Sequence, residues 1–219
     1  VEKAYGFYEM DYYFHSMRAA SLWLNDYIKK EHPNPPKKVV VVSNNMGITQ
    51  YYFRHDTTNV AVGYIRYYDR GTIDWDYCIV VNSYIDAIQL QTGIWPPKNT
   101  IHTIDVDGKP VCAILKRDDR NDYLGFAAKS MAESIKENNT TRDSLFKESI
   151  VSFKKALKAD PHNETALLSL TEIYMNAQNL DSAMYYVDLL LAVYPTYENG
   201  LNYKGWLSIQ KFDKNQNQQ

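Results

Sequence analysis

Carboxylates and aromatic side chains cluster in one short segment of the chain, residues 68–76. The segment contains Asp69, Asp74 and Asp76 together with Trp75. Paired carboxylates carry out acid–base chemistry in glycoside hydrolysis, and aromatic rings stack on sugar faces. The segment is therefore a candidate sugar-binding or sugar-cleaving loop. The alternative, which we favour because connecting loops are normally polar, is a solvated turn in which the aspartates cap the backbone.

Other signatures of chemistry are missing from the sequence. It has no G-x-S-x-G nucleophile elbow, no phosphate-binding G-x-x-x-x-G-K and no G-x-G-x-x-G. Residues 105–108 open like a calcium loop, but Lys116 occupies the twelfth position, where a bidentate glutamate is required. The five histidines lack the spacing of metal ligands. We therefore expect no catalytic residue, no cofactor and no metal site.

Two cysteines, Cys78 and Cys112, both lie inside apolar runs typical of strands. They are too few for a disulfide framework or a zinc site. A bridge between neighbouring strands is one alternative for an exported protein. Two buried free thiols are the interpretation that we favour, since free cysteine behaves as a small apolar residue.

The charge balance limits the class of partner. Lysine and arginine number 24 against 26 acidic residues, which gives a formal net charge of -2. Nucleic-acid binding needs a basic surface that neutralises phosphates, so no nucleic-acid partner is expected. Twelve of the 19 tyrosines precede residue 119, where they favour a polar-tipped core over a sugar-stacking surface.

The first half of the chain has the pattern of a small α/β domain. Residues 15–31 have helical apolar spacing, and the prolines after them end the helix. The run Val39–Val42 predicts a buried strand covered on both faces. Further strands are predicted at 60–67, 77–81, 101–106 and 111–116, with a short helix at 46–53 and a helical turn at 85–90. Asp107-Gly108 suits a tight hairpin between the last two strands.

The second half of the chain has the apolar spacing of consecutive helices. They are predicted at 126–137, 144–159, 164–177, 180–194 and 201–211. Pro161 and Pro195 lie 34 residues apart, and each closes a stretch with the small and aromatic spacing of a helical repeat. This period and spacing resemble tetratricopeptide (TPR) repeats, in which helix pairs stack into a curved surface that binds another protein. In this frame Gly205 falls at a tight-packing position of the next unit.

The resemblance implies a partner-binding surface on the first helix of the central repeat. Its inner side would expose five residues of mixed polarity: Thr165, Leu168, Glu172, Met175 and Asn176. A mixed apolar and polar groove suits an extended peptide or a helix. The alternative is that this surface packs against the α/β domain, because short arrays need their ends covered.

Two further segments resemble a second family. Residues 8–24 are similar to the acidic Asp-Tyr-aromatic segment, followed by Ser and a helix ending in Trp-Leu, of multi-spanning GT-C class glycosyltransferases such as protein O-mannosyltransferases and aminoarabinose transferases. The order of the segments from Val39 to Arg117 is similar to the soluble α/β domain of those enzymes. Together these segments cover about half of the chain.

The second resemblance implies that the chain is the soluble extracytoplasmic C-terminal region of a membrane enzyme that uses a polyprenyl-phosphate sugar. The family's catalytic acids lie in an early external loop with no counterpart here, so this part alone is expected to be inactive. The start at Val1 favours the loss of an upstream segment, expected to contain membrane spans. The expected location is the extracytoplasmic, periplasmic face of a membrane, with a protein partner or glycan acceptor. The alternative is a stand-alone exported or lipid-anchored adaptor.

These patterns predict the organisation of the whole chain. The fold class is α/β, with a small, mostly parallel sheet flanked by helices and closed by a C-terminal hairpin, followed by an all-α TPR-like repeat. The α/β domain is expected at 1–118 and the helical domain at 123–213. Residues 214–219 are polar and are predicted to form a disordered tail.

Overall fold

A computed structural model describes residues 3–8, 11, 13–117, 119–136 and 138–216, with side chains to residue 213. The chain forms two compact units, Val1–Asp118 and Asp119–Gln219. The first contains a sheet with helices, and the second contains helices only over its described residues. The predicted fold class, a small α/β domain followed by a TPR-like helical region, is confirmed.

The described residues of the α/β unit form eight helices and strands. They are α1 (His15–Glu31), β1 (Val39–Ser43), α2 (Met46–Phe53), β2 (Val60–Tyr64), β3 (Tyr77–Val81), α3 (Ala87–Thr92), β4 (Thr100–Val106) and β5 (Lys109–Lys116). Short 3-10 turns at Tyr67–Asp69 and Asn82–Tyr84 connect them. The predicted strand at 60–67 is shorter than expected, because the chain turns away after Tyr64 into the first of these turns.

The strands form one sheet in the order β2-β1-β3-β5-β4. Strand β1 pairs in parallel with both β2 and β3, whereas β5 is antiparallel to β3 and to β4. Four of the five strands therefore run in one direction, and β5 alone is reversed. The predicted sheet with a hairpin at its end is confirmed, and it is mixed, with two parallel and two antiparallel pairings.

The valine run of β1 supplies core to both faces of the sheet. Val41 packs with Met17 and Leu24 of α1 on one face, while Val42 packs with Trp95 on the other. Successive side chains of a strand point to opposite faces, so a strand apolar throughout belongs in a sheet covered on both sides. Helix α1 begins and ends where its apolar spacing predicts.

The β4–β5 hairpin turns at Asp107 and Gly108, as predicted. Both residues have positive φ, 49° and 73°. A two-residue turn with positive φ at both positions matches the twist of the flanking strands, and Gly and Asp tolerate that conformation better than other residues. The calcium-like spacing at 105–108 is therefore the sequence of a hairpin turn.

Both cysteines are buried free thiols, as favoured from the sequence. Cys78 contributes to the core on one face of the sheet and Cys112 to the core on the other. Side chains on opposite faces cannot be bridged without moving the backbone. Burial raises the pKa of the Cys78 thiol to about 12 and raises that of Cys112 as well.

Where the structure describes it, the second unit contains five helices: α4 (Asn121–Ser134), α5 (Asn139–Ala159), α6 (Glu164–Asn176), α7 (Leu180–Val193) and α8 (Glu198–Gln216). Three of these helices have an asparagine N-cap. The side chains of Asn138, Asn163 and Asn179 each accept a hydrogen bond from a backbone N–H in the first turn. Such caps satisfy donors that the helix itself leaves unpaired.

Several helix boundaries differ from the prediction: α4 begins and ends earlier, α5 begins at Asn139 rather than at 144, and α8 extends beyond 201–211 at both ends. Helix α4 begins five residues earlier than expected, at Asn121, because an Asp119 carboxylate oxygen accepts the Asn121 N–H (2.9 Å). Helix α8 continues through residues 214–216, so the predicted tail at 214–219 begins too early. Lysine and glutamine are good helix formers, which lets the helix extend. Residues 217–219 lie outside the described part of the chain.

The helices pack in consecutive pairs. Helix α4 contacts α5 and α6, helix α6 contacts α7, and α8 packs on α7. Phe153 and Leu170 are central to one core cluster, and Val187 and Leu207 to the other. Gly125 of α4 lies directly against Phe153, since a Cβ added to this glycine would come within 2.9 Å of the ring. We call α4, α6 and α8 the first helices of this unit.

Candidate functional site

The central first helix, α6, carries all five residues predicted to bind a partner. Asn163 fixes its start, because its carboxamide oxygen accepts the Ala166 N–H at 2.9 Å. Helical geometry then places residues 165, 168, 172, 175 and 176 along one side. The capped turn therefore sets which residues this side of α6 presents.

The five residues differ in exposure. Asn176 is exposed, and Leu168, Glu172 and Met175 are half-buried. Met175 also packs against the Leu180 cluster at the start of α7. Thr165 is only 7% exposed, so the prediction that it lies on an exposed side is wrong; the first turn of α6, Asn163 to Thr165, is buried as a whole. The binding role of the five stays a prediction.

Glu172 joins the three first helices to one another. One of its carboxylate oxygens forms an ion pair with the Lys129 ammonium of α4. The Tyr203 hydroxyl of α8 donates to the other oxygen at 3.0 Å. The carboxylate thus ties together segments that are 43 and 31 residues away in sequence. Sequence reasoning singled out Glu172 but missed both of its partners, which no short-range pattern connects to it.

The surroundings of Tyr203 keep its phenol protonated at neutral pH. Burial, together with the nearby Glu172 carboxylate, raises the pKa of Tyr203 to about 12, so the phenol remains a donor at neutral pH. The Lys129 side chain is 10% exposed, which limits screening of the ion pair by solvent. The arrangement suits the positioning of helices, because one carboxylate contacts side chains from two other helices.

Aromatic packing supports the next layer of the unit. The rings of Tyr174 and Tyr186 stack at a centroid distance of 5.6 Å, and the Lys154 ammonium lies 5.8 Å from the Tyr174 ring centre. Tyr174 packs against the core of α5 and α6. Tyr174 therefore contributes to the core of the helical unit.

Gly205 does not pack as predicted. No described atom lies within 4 Å of a Cβ added to this glycine, so its expected role in tight packing is wrong. The glycine lies on a face of α8 that no described helix covers. The same helix exposes large apolar side chains: Leu201, Trp206, Ile209 and Phe212.

The acidic loop places its members in different environments. Trp75 is 2% exposed, and its indole N–H donates to the Arg70 carbonyl oxygen at 2.7 Å. A buried ring cannot stack on a sugar, so the predicted sugar-binding role of Trp75 is wrong. An Asp76 carboxylate oxygen accepts the Val40 N–H at 2.8 Å, next to the junction of β1 and β3. Asp69 and Asp74 are exposed, and their sugar-binding role stays a prediction.

The described ranges contain neither a candidate metal site nor a candidate membrane span. Histidine, cysteine and acidic side chains do not group in threes there. In that same part of the chain, no helix combines the length and apolar character needed to cross a membrane. Glu9, Met10 and Tyr12, part of the segment similar to glycosyltransferases, lie outside the described residues.

Comparison with known proteins supports one of the two resemblances. Residues 144–201 match the tetratricopeptide repeat family, from within α5 to the start of α8. Neither a curated protein nor a solved structure matches the chain. The TPR-like region is thus supported by both sequence and fold, and such repeats generally bind protein partners.

Proposed function

We propose that the helical unit docks a protein partner along its first helices and that the chain serves as a non-catalytic accessory region. The observation that carries this is the position of α6 inside the matched TPR segment, with Leu168, Glu172 and Asn176 along one side. TPR repeats suggest protein–protein interaction. The finer assignment of the site to this side of α6 is our inference.

The chemistry of this side suits a peptide or an amphipathic helix. Leu168 and Met175 offer half-buried apolar surface, and the exposed Asn176 offers both a donor and an acceptor. Glu172 is held by Lys129 and Tyr203. We therefore expect apolar contacts with Leu168 and Met175 and hydrogen bonds to Asn176 to dominate binding. The contacts of Glu172 with Lys129 and Tyr203 would hold the three helices in their relative positions.

The test uses two leucine substitutions matched in chemistry. The partner is captured with the full chain and identified, and its affinity is then measured by titration calorimetry. Leu168→Ala should weaken binding by about tenfold, the equivalent of roughly 1.4 kcal/mol. Leu189→Ala, on the exposed side of α7, should leave the affinity unchanged. Equal affinities for the two variants would contradict the assignment of the site.

We further propose that the protein containing this region is a membrane glycosyltransferase that uses a polyprenyl-phosphate sugar, with the chain on the extracytoplasmic side. The support is the similarity of residues 8–24 and of the segments from Val39 to Arg117 to that family. In this arrangement the partner is a glycan acceptor or an assembly subunit. The alternative is an exported or lipid-anchored TPR adaptor without transferase activity.

The sequence encoded upstream of Val1 and an assay of sugar transfer separate these two alternatives. Many membrane spans encoded upstream of Val1, with acidic residues in the first external loop, would support the transferase. A single cleavable signal there would support the adaptor. Deletion of this region from the full-length transferase should change acceptor choice or assembly, whereas sugar transfer by the purified region alone would contradict an accessory role.

A further inference from the structure

A groove lined by aromatic and basic side chains lies between helices α1 and α2 of the α/β unit. Its volume is about 430 Å³, which falls within the range of roughly 300–1,000 Å³ that small-molecule sites occupy. Among the described residues that line it, four carry phenyl or phenol rings, and His15 and Arg18 are basic. The groove therefore combines apolar ring surface with groups that attract an anion.

The packing of the two helices creates this groove. Helices α1 and α2 contact each other and lie on the same face of the sheet, where Met17 and Phe53 belong to one core cluster. This contact brings residues 13–18 next to residues 47–52, which line the groove from opposite sides. The two segments are far apart in the sequence, so no single motif could have revealed the site.

The floor of the groove is held in place by the core. Phe14 and Ile48 are half-buried and pack against the core cluster beneath α1 and α2. The Phe14 ring also stacks on the Tyr84 ring, with a centroid distance of 6.0 Å and an interplanar angle of 8°. A floor that is already fixed lowers the entropy cost of binding a ligand.

The backbone of Phe14 has an unusual conformation. Its φ of 55° and ψ of 36° lie in the left-handed region, which a bulky residue rarely adopts. Hydrogen bonds to Asp11 hold this conformation: the Phe14 N–H donates to the Asp11 carbonyl oxygen at 2.9 Å, and the Ser16 N–H donates to the Asp11 carboxylate at 3.2 Å. Residues held in such conformations by their surroundings cluster at binding and active sites. The outlier is an observation at the groove that is independent of its volume.

Two tyrosine rings at the groove are accessible to a ligand. Tyr13 is 76% exposed and Tyr51 is 57% exposed. The guanidinium carbon of Arg54 lies 4.0 Å from the centre of the Tyr51 ring, and an Arg54 nitrogen donates to the Tyr51 carbonyl oxygen. These contacts fix Tyr51 and place a further positive charge beside it. An accessible and fixed aromatic ring suits a ligand that contains a flat or apolar ring face.

The basic side chains determine the other part of the ligand. His15 and Arg18 are both exposed and are three residues apart on α1, a spacing that puts their Cβ atoms about 5–6 Å from each other. A guanidinium donates two parallel hydrogen bonds to a phosphate, and an imidazole N–H donates one more. A phosphate ester has three terminal oxygens, so it can accept hydrogen bonds from both side chains at once.

We propose that the groove between α1 and α2 binds the phosphate ester of a ring compound, with the phosphate on His15 and Arg18 and the ring against Tyr51. A nucleotide and a sugar phosphate share this chemistry. Recognition of the phosphate by side chains requires no glycine-rich loop, in agreement with the absence of such motifs from the sequence. The site lies wholly in the α/β unit and does not depend on the docking proposed for α6.

The test titrates the full chain with AMP and with glucosyl phosphate and follows backbone amide chemical shifts by NMR. Adenosine, methyl glucoside and inorganic phosphate serve as the separate parts of these probes. At least one ester should shift the amides of Gly47 and Ile48 saturably and should bind at least about tenfold more tightly than either of its parts. Preference for AMP would identify a nucleotide site, and preference for glucosyl phosphate would identify a sugar-phosphate site.

Two variants test the roles of the side chains, each beside a matched control. Arg18→Gln and Tyr51→Leu should each weaken binding of the ester by about tenfold, through loss of the charged hydrogen bonds and of ring stacking respectively. Lys30→Gln removes a positive charge at the other end of α1, and Tyr185→Leu removes a ring of α7 that is 60% exposed. Neither control should change the affinity. All four side chains are exposed, so each variant should retain the thermal midpoint of the unmodified chain.

Three results would overturn the proposal. The first is the absence of a saturable response to either ester. The second is an equal loss of affinity in the groove variants and in their controls. The third is binding of inorganic phosphate as tight as that of the esters, because the ring would then have no site. None of these results bears on the leucine variants that test α6.

Discussion

The same substitution, Gly→Ala, should have opposite effects on two first helices. A Cβ at Gly125 would meet three ring carbons of Phe153 at 2.9–3.0 Å, whereas a Cβ at Gly205 would meet open space. Both glycines lie inside helices, where alanine is favoured over glycine by about 1 kcal/mol. The difference between the two variants therefore isolates the packing contribution.

The magnitude at Gly125 follows from how far Phe153 can move. Phe153 is fully buried, so its ring cannot swing into solvent to make room. Overpacking of a core by one methyl group costs roughly 1–3 kcal/mol, and helix propensity offsets about 1 kcal/mol of that. We expect Gly125→Ala to lower the free energy of unfolding of the helical unit by about 1–2 kcal/mol. Gly205→Ala should raise it by up to about 1 kcal/mol.

Native-state hydrogen exchange is the suitable assay, because it reports opening free energies for each helix separately in a chain with two units. Amides of α5 would be followed for Gly125→Ala, and amides of α7 for Gly205→Ala. Phe153→Leu added to Gly125→Ala should recover part of the loss, since a smaller side chain admits the methyl group, and should give a favourable coupling energy in the double-mutant cycle. Equal stabilisation by both alanines would refute the close approach of α4 and α5.

Three shorter predictions concern the network, a helix cap and the thiols. Glu172→Gln should cost about 1–3 kcal/mol of unfolding free energy in chemical denaturation, because it leaves a mostly buried ammonium without its ion pair, whereas Lys211→Met at an exposed pair should cost under about 1 kcal/mol. Asn163→Ala should destabilise α6 by about 1 kcal/mol, measured by hydrogen exchange in that helix. Cys78 and Cys112 should resist iodoacetamide at pH 8 in the folded protein and react once it unfolds, as mass spectrometry can follow; labelling of the folded chain at the unfolded rate would contradict their burial.

Elements with a strong local pattern were predicted closely. Helix α1, helix α2 and strand β3 have the bounds that apolar spacing and proline positions indicated. The Asp107-Gly108 turn followed from backbone preference alone. In each case the signal lies within a few residues of the feature that it determines, so a single sequence suffices.

The environments of individual side chains were predicted less well, because distant segments determine them. Trp75 reads as a loop aromatic, yet it is buried, donates its indole N–H to Arg70 and lies under the Arg117 guanidinium, 4.8 Å from the ring centre. Thr165 falls on the correct helical side but in a buried turn. The partners of Glu172 come from two other helices. No periodic pattern or motif in the sequence indicates these contacts.

The buried asparagines that follow β1 and β3 were also not singled out from the sequence. An asparagine after a strand is typical of a turn, so Asn44 and Asn82 carried no signal in the sequence. Their significance comes from burial without a partner among the described residues, at the point where the strand order reverses. A purely structural asparagine at such a position gains stability from its hydrogen bonds, whereas an unpaired one costs stability until a ligand or water supplies them. Comparing the thermal midpoints of the unmodified chain and of Asn82→Leu therefore measures which of these roles the side chain has.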